Sequence, residues 1–199
     1  MASASYSAFQ GHHRLAQGDL ATVLTRVMTR SDGEASVLIL DDLTGDRIEP
    51  DPREDLAATL ARFAAPAEDA PPAPGPPVRG RPRLGVTAKE VTLLPRHWDW
   101  LQAQPGGASA ALRRLVDIAR RDGAPVDQAR RSHRALDRFL YLVAGDLPNF
   151  EEAYRAFYAG AADRFAALTE PWPLDVREHA RRLLAKALGD QALAHSPPG

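Results

Sequence analysis

The chain has 199 residues, which sets an expectation of one or two domains, and 44% of them are hydrophobic, enough for a real core. It holds no cysteine, which excludes disulfides, thiolate metal sites and a cysteine nucleophile and fits a reducing, cytoplasmic setting. The formal net charge of −1 hides a polarised chain: residues 79 to 134 carry twelve Lys or Arg against five Asp or Glu, and the remainder thirteen against twenty-one. A basic block of that kind inside an acidic protein steers polyanions, or pairs with an acidic face of the same molecule.

The N-terminus, MASASYSAFQGHH, shows no basic stretch leading into an apolar run, so no signal peptide is expected. No segment approaches the roughly 18 consecutive apolar residues of a membrane span, so no membrane association is expected either. Tyr6 to Phe9 and His13 to Ala16 flank Gly11 and read as a short hairpin. Asp19 is a plausible N-cap for a helix with Leu20, Val23, Leu24 and Val27 at helical spacing. Ser36 to Leu40 (SVLIL) is an apolar run of strand length, Thr44-Gly45-Asp46 a turn, and Arg47 to Glu49 a return strand. Asp55 caps a last helix with Leu56, Leu60 and Phe63 on one face.

These elements define a small α/β domain over residues 5–64, in the order β-β-α-β-β-α. Residues 65–78 hold six prolines and read as a linker. A mainly helical domain over 79–190, opening with one strand, completes an α+β fold. Its strand runs from Gly85 to Leu94, and a first helix follows from Arg96 to Ala103 with Pro95 in its opening turn. Pro105-Gly106-Gly107 makes a turn, and Ser109 caps a second helix from Ala110 to Arg121. That helix has an apolar stripe of Leu112, Leu115, Val116 and Ala119, with Arg113, Arg114, Arg120 and Arg121 around it. Further helices are expected at Val126 to Val143, Phe150 to Leu168 and Asp175 to Leu188.

The order strand, proline, helix, Gly-Gly turn and basic helix in residues 81–121 resembles a ribbon-helix-helix module, a small dimeric DNA-binding unit. The resemblance covers about one fifth of the chain. It implies a strand that pairs with its twin in a second copy and enters the major groove of double-stranded DNA. On that reading Thr87 and Lys89 contact base edges, and Arg81, Arg83 and Arg96 contact phosphates. The helix start from Ser109 to Arg113 clamps a further phosphate, and Arg113 and Arg114 supply long-range attraction. The strand departs from the family pattern: Leu93 stands where a polar reader is common, and Glu90 faces away from Lys89. Some seventy residues also follow where the module usually ends.

The chain as a whole resembles a bacterial family of unknown function, domain of unknown function 2239. LILDDLTGDRIEPD, GRPRLGVTAKEVTLLPRHWDWLQAQPGGASAALRRLVDIAR and PWPLDVREHA carry that resemblance, and it implies no particular activity.

The remaining candidates are weaker. Asp41, Asp42, Asp46, Glu49 and Asp51 lack the spacing of a hard-cation loop and read as a solvated hairpin tip. His12 and His13 are adjacent on a strand and point to opposite faces, while His97, His133 and His179 share no metal-binding spacing. Glu151, Glu152 and Glu178 read as surface charge. The aromatic set Phe139, Tyr141, Phe150, Tyr154, Phe157, Tyr158, Phe165 and Trp172 reads as helix core, with a pocket for an aromatic or apolar ligand as the sharper alternative. Trp98 faces the core with Leu101, and Trp100 faces elsewhere. No phosphate loop, nucleophile elbow or dinucleotide fingerprint occurs, so neither a catalytic residue, a cofactor nor a metal is expected. The leading expectation is a cytoplasmic, dimeric DNA-binding regulator; the alternative is a non-catalytic protein-interaction module.

Overall fold

Strands β1 (Tyr6–Gln10), β2 (His13–Gly18), β3 (Val37–Asp41) and β4 (Arg47–Ile48) form one antiparallel sheet in the order β2-β1-β3-β4. The structure is a computed structural model; it describes residues 5–29, 36–51, 53–64 and 89–196. Helix α1 (Leu20–Met28) follows the hairpin, and α2 (Leu56–Ala64) closes the expected β-β-α-β-β-α order. The expected caps form. Asp19 accepts from the Thr22 amide at 2.8 Å and Asp55 from the Ala58 amide at 2.7 Å. The linker at 65–78 lies outside the described residues.

The two central strands are buried on both faces, and the alternation of side chains decides which residue goes where. Ala8 and Ile39 pack with Val23 and Leu24 of α1. Phe9 and Leu40, on the other face, share a core with C-terminal helices. These are the later part of α4 (Gly107–Val143), α5 (Phe150–Tyr158), α6 (Ala162–Leu168) and α7 (Leu174–Ala194). Phe139, Leu136, Phe157, Phe165, Trp172, Val176 and Leu183 are among the buried members of that core. Each large side chain moved out of water there is worth about 1.5–3 kcal/mol. The expected division into domains 5–64 and 79–190 therefore does not separate two cores: a strand buried on both faces needs a cover on each. The described chain divides instead into one unit built from the residues up to Leu60 with those from Gly123 on, and another from Ala61 to Asp122.

Polar contacts fix the sheet onto α7. A bulge between Ala8 and Phe9 shifts the β1–β2 register, and the Arg14 amide donates to Asp175 at 2.9 Å rather than into the ladder. His13 lies 2.7 Å from the same carboxylate, His12 pairs with Asp146 at 3.0 Å, and Arg138 pairs with Asp46. Gly45, in the β3–β4 turn at φ +72°, approaches so closely that a Cβ there would stand 2.9 Å from the Ala135 backbone.

Two helical expectations and one strand need correction. The stretch expected as two helices, Ala110 to Arg121 and Val126 to Val143, is the single helix α4, which accommodates Pro125. Proline removes a donor and crowds the preceding turn, but it does not by itself end a helix whose flanks are strongly helical. Conversely, Phe150 to Leu168 is two helices, broken at Gly160 with φ +66°. The strand expected over Gly85 to Leu94 is not formed where it is described: residues 89–94 carry no regular structure, and 85–88 lie outside the described residues.

Candidate functional site

The sequence-predicted site residues that the structure describes all lie in the unit from Ala61 to Asp122. Arg81, Arg83 and Thr87 lie outside the described residues. Lys89 is exposed in the stretch ahead of α3 (Pro95–Gln102), and the backbone of residues 89–93 makes no hydrogen bond among the described residues. Leu94 is extended, at φ −65° and ψ 148°, because Pro95 at the first helical position disfavours the helical region before it. Arg96 is exposed on α3.

Helix α4 opens at Gly107, three residues earlier than expected. Gly106 and Gly107 have φ of +84° and +76°, so the left-handed turn ends there. Ser109 is thus an exposed residue of the first helical turn rather than its N-cap. No acidic residue occupies that turn, so the positive end of the helix dipole is not neutralised locally.

Beyond it α4 is strongly two-sided. At 100° per residue, Arg113, Arg114, Arg120 and Arg121 fall with Asp117 within an arc of roughly 120°, and Leu112, Leu115, Val116 and Ala119 fall on the other side. Both sides are open to water. From residue 113 to 122 every position is exposed, Val116 to 52%. Val91, Leu94, Trp100 (53%), Leu115 and Ile118 are exposed as well, and only Leu101 and Ala111 are buried between 89 and 122. Trp98 is half-buried, as its pairing with Leu101 suggested.

The other titratable cluster is internal, and the sequence reading missed it. Asp42 is buried and not part of a solvated tip. Its Oδ2 accepts from Ser5 Oγ at 2.8 Å, Ser7 Oγ at 3.1 Å and Arg182 Nη2 at 3.0 Å. Arg182 Nη2 also lies 3.0 Å from His179 Nδ1. A guanidinium only donates, so Nδ1 accepts and the ring proton sits on Nε2, 3.4 Å from Asp42 Oδ1. That distance is an electrostatic contact without hydrogen-bond geometry, which leaves Oδ1 buried with no donor. In the amide orientation that satisfies both groups, Gln17 accepts from the same guanidinium at 2.7 Å.

The His179 ring is sealed between Phe9 and Phe139, with centroids 5.2 and 4.4 Å away. Burial depresses its pKa to about 4 against the pull of Asp42, so the ring is neutral at pH 7. This is no nucleophilic triad. Ser7 donates to the carboxylate, not to the histidine, and the ring is closed off from solvent. The cluster ties β1 and the turn after β3 to α7. Its sequence signal was Arg182 and His179 at i, i+3 beside Val176, Ala180, Leu183 and Leu184, an apolar stripe that carries the histidine inward.

Among the described residues no group of His, Asp or Glu stands close enough to hold a metal ion, and no helix is long and apolar enough to cross a membrane. Glu152 pairs with Arg155 and Glu178 with Arg14.

The chain belongs to the family described as "uncharacterized protein conserved in bacteria (DUF2239)", whose profile matches residues 5–184. No curated protein and no solved structure matches it.

Proposed function

We propose that this chain is a DNA-binding protein that acts as a homodimer through the stretch ending at Asp122. The observation that carries the reading is the two-sided first half of α4, an arginine face opposite an apolar face, both exposed among the described residues. A second copy is the simplest cover for Leu115, Val116 and Ile118. Exposed apolar patches with polar rims are what association surfaces look like, and a self-complementary patch closes as a two-fold dimer.

The backbone of 89–93, which makes no hydrogen bond among the described residues, fits the same occupant. A ribbon strand finds its ladder only in its mate, and Val91 and Thr92 are residues that suit a strand. Covering the apolar faces leaves Arg113, Arg114, Arg120 and Arg121 outward for a polyanion. The helix start at Ala108 and Ser109 offers amides to a phosphate, while the Gly107 amide is already given to the Gln104 carbonyl at 2.9 Å.

Fluorescence polarisation of a short random duplex against the full chain tests this. Binding at micromolar protein is expected, with log K falling by about 0.9 per log unit of salt for each phosphate contact. The double change Arg113→Glu with Arg114→Glu should weaken binding to every sequence alike. No binding at low salt, or binding indifferent to salt, overturns the DNA reading. A monomer in sedimentation overturns the dimer, and a dimer that ignores DNA leaves a protein-interaction module.

A further inference from the structure

A cavity of about 600 Å³ opens in the unit that holds the sheet, between α4, the end of α5 and the last turns of α7. That volume lies in the range of small-molecule sites. Its residues come from 126 onward, so it stands apart from the DNA reading and does not depend on it.

One wall is small and apolar, made by Val126, Ala129, Ala187 and Ala194. Two aromatic rings line the cavity as well, with His133 on the same stripe of α4 as Val126 and Ala129. The His133 ring lies 4.4 Å from Phe157 at 33° and meets Tyr158 edge-on at 5.0 Å. Tyr158 is held in place by Asp137, which also lines the cavity: its hydroxyl donates to Asp137 Oδ1 at 2.7 Å, and the Tyr154 hydroxyl donates to the same oxygen at 2.5 Å. The Asp137 bond holds the Tyr154 proton on and raises its pKa, so these hydroxyls stay neutral donors.

Two of the remaining polar groups are guanidinium cations. Arg134 makes no hydrogen bond or close ion pair among the described residues, although its charge acts on Asp46, and Arg130 has only a loose exposed contact to Asp127 at 3.7 Å. Neither ring nitrogen of His133 has a hydrogen-bond partner there. At the far rim, the end of α7 presents carbonyls, one of them taken by His195 Nδ1 at 2.7 Å from Gln191 O. With Arg130, Arg134 and Asp137 charged, the lining carries one net positive charge.

These features select a ligand. A flat apolar body fits against the small apolar lining and the His133–Tyr158 pair, where offset and edge contacts favour an aromatic ring. One anionic oxygen pair fits a single free guanidinium bidentately. A phosphate dianion is disfavoured, because the lining offers no helix N-terminus and the α7 carbonyls lie at the rim. We propose that the cavity binds a small aromatic monocarboxylate, its ring on His133 and Tyr158 and its carboxylate on Arg134 with help from Arg130.

The test is an amide-resolved NMR titration of the full chain with benzoate, 2-naphthoate and indole-3-carboxylate, each beside its neutral carboxamide. At least one acid should shift amides around Ala129, His133 and Gln191 with a dissociation constant of roughly millimolar or tighter. Its carboxamide should bind about tenfold more weakly, and Arg134→Gln should weaken the acid by a similar factor. Arg134 is exposed, so that variant folds, and an unchanged Asp42 and His179 spectrum verifies it. A second variant, Ala129→Phe, fills the cavity and should abolish binding of acid and amide alike. The proposal is overturned if no acid shifts these amides at millimolar concentration, if amides bind as well as acids, or if Arg134→Gln leaves affinity unchanged.

Discussion

From Ser132 to Val143, helix α4 buries Ala135, Leu136, Phe139, Leu140 and Val143; from Leu112 to Ile118 it leaves Leu115, Val116 and Ile118 in water. Apolar residues recur at helical spacing in both halves. What differs is the cover. The later half lies under Phe9 and Leu40 of the sheet and under α5 and α7, while the earlier half has an arginine face and an apolar face that are both exposed among the described residues. Helical periodicity therefore states which face seeks burial. It does not state whether the same chain or another copy provides it.

The sharpest way to break that contrast is to truncate one residue in the covered half. Phe139→Ala should cost about 3–5 kcal/mol, because it removes a ring packed on Phe9 at 5.3 Å and on His179 at 4.4 Å and leaves a cavity. Urea unfolding followed by far-UV circular dichroism checks it. A loss below about 1 kcal/mol would mean the core can collapse around the gap, and would place the covered half closer to the open one.

Acid comes next in size. His179 is neutral in the folded chain with a pKa of about 4, while an unfolded histidine titrates near 6.5. Between those values the unfolded state binds the extra proton, so stability is fully present above about pH 6.5 and is lost as pH falls towards 4. The integrated loss is about 3 kcal/mol. The lowered carboxylates, Asp46 and Asp190 among them, lose their contribution only at lower pH, below their ordinary range. The window from pH 6.5 to 4.5 thus isolates the histidine. A His179→Gln chain should be less stable at pH 7 but nearly flat across that window; a slope that survives in it would assign the acid sensitivity elsewhere.

Much of the fold was legible because local chemistry and tertiary packing agree there. Asp19 and Asp55 cap the helices they were expected to cap, and the Gly11 and Thr44-Gly45-Asp46 turns join the strands they were expected to join. The domain division was misjudged at one clue. SVLIL is apolar at every position after Ser36, which is the pattern of a strand covered on both faces. Its second cover lies about a hundred residues away in sequence. Asp42 was misjudged for the same reason, since its partners Ser5, Ser7 and Arg182 are distant in sequence and a run of turn-forming residues hides it. The cavity was half visible, in the aromatic set that includes Tyr154, Phe157 and Tyr158. The cationic side of it, Arg130 and Arg134, carries no pattern that separates it from any other arginine on α4.

Two glycines sharpen the contrast at smaller size and with opposite signs. Gly45→Ala should destabilise by about 2 kcal/mol or more, since φ is +72° and the new methyl would meet the Ala135 backbone at 2.9 Å. Gly123→Ala, inside α4 with no neighbour nearer than Asp127 Oδ2 at 4.0 Å, should stabilise by about 0.5–1 kcal/mol. Thermal melts of the two variants should therefore move in opposite directions.

The smallest expected effect on folding is the most decisive for the open half. Leu115→Ser with Val116→Ser removes two apolar side chains that nothing in the described chain covers, so the folding of a single chain should change by no more than about 0.5 kcal/mol. Association should suffer instead. Sedimentation equilibrium should show the parent chain as a dimer and the double variant as a monomer, with duplex affinity falling in step because two arginine faces no longer act together. If the variant instead loses as much stability as Phe139→Ala, the apolar face is covered by its own chain. Both halves of α4 would then be ordinary core, and the case for a partner copy would go with the contrast.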